Sequence, residues 1–113
     1  MRSGEVWWAD LPRPRGSGPG RRRPVVVVSA DAFNQSRIRT VIVAAITSNE
    51  QLARAPGNIR LTRSQSGLSR VSVINVSQLL TLDRSVLSER VKTLPADIRS
   101  KLDAGLLKVL DLT

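Results

Sequence analysis

The chain contains neither cysteine nor histidine. The first absence excludes disulfides and thiol nucleophiles, and the two together exclude the usual zinc ligand sets and any RNA-cleaving site built on an imidazole pair. No apolar run approaches the roughly 20 residues of a membrane-spanning helix, and the opening "MRSGEVWWAD" lacks the apolar centre of a signal peptide. A soluble, cytoplasmic protein with no membrane partner is therefore expected. Carboxylates are sparse: Glu5, Asp10, Asp31 and Glu50 are the acids of the first 63 residues, and they do not cluster as in a metal-dependent nuclease. What remains for chemistry is arginine and hydroxyl.

Basic residues, by contrast, are abundant. Lys and Arg number 18 against 9 acids, a net charge of +9, and 15 of the 18 are arginine. Residues 1–63 hold eleven arginines against four acids, whereas residues 64–113 hold seven basic residues against five acidic ones. A guanidinium is planar, permanently ionised and able to grip phosphate through two hydrogen bonds, so this balance points to a polyanionic partner such as nucleic acid. An arginine-biased genome would give the same composition, but not the same concentration in one half. A length of 113 residues with 41% apolar content suits one globular domain with one modest core.

The segments read as follows. "EVWWADL" is strand-like; "PRPRGSGPGRRRP" carries four of the six prolines and three of the seven glycines and reads as a loop whose arginines overhang a neighbouring surface. "PVVVVS" and "TVIVAAIT" are β-branched, unbroken apolar runs, as expected of strands covered on both faces. Between them "ADAFNQSR" suits a short helical turn capped by Ser29. "NIRLTR" and "RVSVINVSQLLTL" alternate as half-exposed strands, separated by the turn "SGLS". A closing helix follows, with Pro95 in its first turn, Asp97 complementing the N-terminal dipole, and Ile98, Leu102, Leu106 and Val109 on one face. The expected fold is mainly β with α: a small, strongly curved sheet or barrel of about five strands with a C-terminal helix as cover, in a single domain over residues 1–113. Of Trp7 and Trp8, which alternate across a strand, one fills the core and the other faces out, for packing or for base stacking.

Arg23 is fixed by Pro24 at the start of one buried strand and Thr47 ends the other. The two side chains meet only if those strands are adjacent and antiparallel. Such a pair would suit attack of an RNA 2′-hydroxyl on the neighbouring phosphate: the substrate supplies the nucleophile, and the protein stabilises the charge that builds on the phosphorane oxygens. One preorganised donor of this kind contributes about 3 kcal/mol. Arginine, ionised up to about pH 12, serves first as an electrostatic stabiliser and second as a general acid.

"GEVWWADL", the Gly-Ser loop ending in "RRRP", "VVVVSADAFN", "VAAITS" and "SVINVSQLLTL" resemble, in order and spacing, the MazF/PemK-like toxin family, over nearly the whole chain. The resemblance implies an SH3-like barrel of about five to seven strands with a C-terminal helix, and a ribosome-independent, single-strand-selective endoribonuclease of a toxin–antitoxin module. It implies catalysis by Arg23 and Thr47, no metal or other cofactor, a 2′,3′-cyclic phosphate and a 5′-hydroxyl as products, a homodimer with RNA in the groove between subunits, and a cognate acidic antitoxin. Arg13, Arg15, Ser17, Arg21, Arg22 and Gln78 are the expected RNA-binding residues, against the plainer reading of solvated charges and a polar sheet face. Two departures leave the base preference open: Gly18 stands where many relatives carry a Glu, and Ser77 replaces an acid before the retained Gln78. A CcdB-like gyrase poison shares the expected fold but acts through a C-terminal Trp-Gly-Ile, whereas this chain ends "KVLDLT". A noncatalytic RNA-binding module would bind with steep salt dependence and cut nothing.

Overall fold

A computed structural model describes residues 1–11 and 21–112. Six strands, β1 (Glu5–Leu11), β2 (Arg21–Val27), β3 (Thr40–Thr47), β4 (Ile59–Leu61), β5 (Ser72–Asp83) and β6 (Leu87–Thr93), form one antiparallel sheet in the order β4-β5-β3-β2-β1-β6. Helices α1 (Asp31–Asn34) and α2 (Arg63–Ser66) are single turns, and α3 (Ala96–Val109) is the one long helix. Among the described residues no helix is long and apolar enough to cross a membrane.

The topology forces the sheet to roll. β5 and β6 lie four positions apart in the sheet, about 19 Å if it were flat. Only Arg84–Val86 separate them in sequence, a link that reaches at most about 14 Å. The sheet therefore curls, and side chains from both halves meet inside: Leu80 and Leu82 of β5 join Leu87 of β6 around Val25, Val27, Val41 and Val43. The opposite face carries the second core cluster, in which Val26, Ala44, Ile46 and Ile74 pack beneath Ile98 and Leu102 of α3. The unbroken valine run is thus explained by cover on both faces.

Several local expectations need correcting. β6, "LSERVKT", is a strand in which only Leu87 is buried; its charged side chains suit an exposed edge and hide the alternation. The three arginines do not belong to the preceding loop: Arg21, Arg22 and Arg23 open β2 and pair with Leu11, Asp10 and Ala9 of β1. Ser29 does not cap α1, whose N-cap is Ala30. Its buried hydroxyl donates instead to Asn34 Oδ1 (2.6 Å), and Asn34 Nδ2 donates back to the Ser29 carbonyl (2.8 Å), so both polar groups are satisfied within the fold. In α3, Pro95 sits at the N-cap and Val109 is exposed, while Gly105 is buried in the helix's contact face. Trp7 and Trp8 each reach one of the two core clusters, and each is only partly buried.

Glu5, at the start of β1, is a buried carboxylate. Burial alone would raise its pKa; the Arg2 backbone N–H, the Arg90 guanidinium (2.8 Å) and the Trp7 indole N–H (3.1 Å) outweigh it and hold the carboxyl below the ordinary value of 4.5. With the folded value lowered, the stabilisation is complete above the unfolded pKa and is lost as pH falls through the folded one. Glu5→Gln should lower stability by about 1 kcal/mol at neutral pH, because the amide oxygen can still accept from the Arg2 and Trp7 N–H groups while the Arg90 guanidinium loses its charged acceptor. It should also flatten the acid limb of a Tm-against-pH profile; an unchanged limb would show that Glu5 is not the group responsible.

Candidate active site

Pairing between β2 and β3 runs from Val27↔Val43 to Val25↔Ala45 and stops at Pro24, which has no N–H to continue a ladder. Extending that register places Arg23 opposite Thr47. Beyond Pro24 the strand ends part, and a cavity of about 300 Å³ opens between them, lined by both residues. Trp8, Arg22 and Ser48 stand on the same walls as this pair, and Leu68, Arg70 and Ser72 close the far side. The condition set by the sequence, adjacent antiparallel strands ending together, is met.

Thr47 is held with its oxygen engaged. The Asn49 N–H donates to Thr47 Oγ1 (3.1 Å), which leaves the hydroxyl proton for an acceptor in the cavity. Arg23 is partly buried and, among the described residues, forms no ion pair. Arg22 is differently placed. Its guanidinium lies 4.7 Å from the centre of the Trp8 ring, 3.0 Å from Glu89 and 3.9 Å from Asp10, so its charge is already answered within the protein. Among the described residues, three guanidiniums and no carboxylate line the cavity. This gives a strongly anion-attracting concavity in which one arginine, Arg22, is tethered and two, Arg23 and Arg70, are not.

The remaining sequence-based candidates lie elsewhere. Arg21 is exposed on β2, paired with Leu11, and does not line the cavity. Gln78 is exposed on a wide bulge of β5, where Ala44↔Leu79 and Ala45↔Asn75 are consecutive pairs and Val76, Ser77 and Gln78 have no partner on β3. The Val76 N–H freed by this bulge is taken by Asn58 Oδ1 at 2.9 Å. Gln78 is not brought into the cavity with Arg23 and Thr47. Arg13, Arg15 and Ser17, and with them the Gly18 departure, lie outside the described residues. Arg70, Ser48 and Ser72 were not anticipated: the run "SGLSR" carries turn signals, and only the tertiary fold shows that its arginine returns to the mouth of β2 and β3.

This fold and cavity define a small rolled-sheet protein in which an arginine and a threonine line one cavity at adjacent strand ends. The family model for the PemK-like, MazF-like toxin of type II toxin–antitoxin systems matches residues 2–110, and the chain belongs to that family. It is 48% identical over 108 residues to "Endoribonuclease MazF2" of Mycobacterium bovis and, to the same degree, to "Endoribonuclease MazF6" of Mycobacterium tuberculosis, covering 96% of this chain and 95% of each relative. Among solved structures, the MazE–MazF structure (Form-III) from Deinococcus radiodurans superposes with a TM-score of 0.80 at 25% identity, covering 100% of this chain and 98% of that one.

Proposed function

We propose that this chain is the toxin endoribonuclease of a type II toxin–antitoxin system, cutting single-stranded RNA without a metal ion through Arg23 and Thr47. The observation that carries the reading is the joint placement of these two side chains on one acid-free cavity at the ends of β2 and β3, in a chain 48% identical to curated endoribonucleases.

The scissile phosphate enters between them. Arg23 donates to its non-bridging oxygens and stabilises the charge that grows as the 2′-oxygen of the preceding ribose attacks. The Thr47 hydroxyl, its oxygen fixed by Asn49, donates a further hydrogen bond to the same group. The 2′-hydroxyl gives its proton to water as the bond from phosphorus to the 2′-oxygen forms, the bond to the 5′-oxygen breaks, and the 5′-oxygen takes a proton from water to leave as a hydroxyl. The upstream fragment keeps a 2′,3′-cyclic phosphate. Arg21 at the head of β2, Arg13, Arg15 and Ser17 before it, and Gln78 on the β5 bulge bind the flanking RNA, and Arg22 joins them only by exchanging its contacts to Glu89 and Asp10 for a phosphate. The protein works in the cytoplasm as a homodimer with RNA between its subunits. Its inhibitor is an acidic antitoxin segment that competes for the same basic surface, as the MazE–MazF pairing of the Deinococcus radiodurans structure suggests by analogy.

The test is incubation of the purified chain with unstructured RNA in EDTA. Cleavage is expected to proceed; intact RNA, with or without added magnesium, would remove the nuclease reading and leave RNA binding as the surviving function.

A further inference from the structure

We propose that Arg70 and Arg63 form a second phosphate-binding site, which takes the phosphate next to the one that is cut and carries the RNA strand across α2. The inference rests on the endoribonuclease reading above and adds a site to it.

β3 lies between β2 and β5 in the sheet. Thr47 pairs with Val73, so the entry to β5, with Ser72 and Arg70, stands on the side of Thr47 away from Arg23. Thr47 is thus flanked by a guanidinium from β2 and one from the segment leading into β5, and both line the cavity. Arg70 is exposed. A second, more open cleft is lined by Thr62, Arg63, Ser64, Leu68 and Ser69, sharing Leu68 and Ser69 with the first. Lys92 adds charge at its edge, where its ammonium donates to the Ser64 carbonyl.

Among the described residues three arginines are matched by carboxylates, and what sets Arg63 and Arg70, with Arg23, apart from the other unmatched ones is that they line these clefts. Arg60 is matched by Glu50, Arg90 by Glu5, and Arg22 by Glu89 and Asp10. Arg63 and Arg70 have no such partner among the described residues, and no carboxylate lines either cleft. Unneutralised guanidiniums beside hydroxyls, in a cleft that shares Leu68 and Ser69 with the reacting site, suit a polyanion whose charges repeat along its length. RNA is such a ligand, and its neighbouring phosphate is the group within reach.

The experiment measures binding of a 2′-O-methyl copy of an RNA that the wild-type protein cuts, as a function of salt. Each lost phosphate contact to a single strand should reduce the slope of log K against log salt by about 0.7. Arg70→Ala and Arg63→Ala should each show that reduction, with KM for the cleavable RNA raised and kcat within about threefold of wild type. Arg70→Lys should keep the slope. The control is Arg37→Ala, before the start of β3 and at the other end of that strand from Thr47, which should change neither quantity. Unchanged slopes in both test variants, in a wild-type background that binds and cuts RNA, would overturn the second site alone. A wild-type protein that neither binds nor cuts RNA would overturn this site and the nuclease reading together.

Discussion

Arg23→Ala should reduce kcat by about 10²–10³, the effect of removing one preorganised donor from a developing oxyanion. The size of the effect follows from the poverty of the site. With no histidine in the chain and no carboxylate lining the cavity, nothing else described there can assume the role of a partly buried guanidinium. Arg70 cannot substitute, since it stands on the other side of Thr47, and Arg22 is occupied by Trp8, Glu89 and Asp10. Arg23→Lys should recover only part of the loss, because an ammonium keeps the charge but not the two-pronged geometry. Thr47→Ala should cost less, about tenfold, as it removes one neutral hydroxyl. Single-turnover cleavage at saturating RNA measures all three variants, and rates within threefold of wild type for both alanine variants would remove Arg23 and Thr47 from the chemistry.

The second large effect concerns the scaffold. Gly105→Ala should lower stability by about 2 kcal/mol and Tm by roughly 6–12 °C. Helix propensity alone predicts the opposite, since alanine exceeds glycine by about 1 kcal/mol in a helix interior. Packing overrides it here. A Cβ on Gly105 would lie 2.3 Å from the Gly57 carbonyl oxygen, a backbone atom that cannot rotate away. Gly57 itself sits at φ +83°, a conformation that suits glycine, so that turn has little freedom to withdraw. The contact seats α3 against the turn bearing Asn58, whose side chain takes up the backbone N–H freed by the β5 bulge. Thermal unfolding of the single variant decides the matter: a Tm equal to or above wild type would show that α3 does not approach this turn so closely.

What the sequence made legible was whatever local chemistry controls. β-branched runs marked β2 and β3, alternation marked β4 and β5, and spacing marked α3. β6 escaped because an edge strand carrying Ser88, Glu89, Arg90 and Lys92 has lost the apolar alternation that identifies strands. The arginines heading β2 looked like loop because Pro24 and the preceding prolines and glycines signal a break. In the fold, Pro24 ends the ladder to β3 while β1 continues to pair with β2 beyond it. Val109 matched the spacing of the α3 core face but lies at the last turn, past the end of the surface the helix covers. Arg23 and Thr47 could be singled out because each ends a readable strand. Arg70 could not, because its position depends on a chain reversal through α2 and on the register of β5 against β3, both set by tertiary packing.

The central claim is that the substrate's own 2′-oxygen attacks a phosphate held by an arginine and a threonine, with no metal-activated water. The chemistry of the ends left by the wild-type protein in EDTA tests it most directly. Mass spectrometry of the fragments should find a 2′,3′-cyclic phosphate on the upstream piece and a 5′-hydroxyl on the downstream piece. A 3′-hydroxyl paired with a 5′-phosphate would mean that water had made the attack, and would contradict the account.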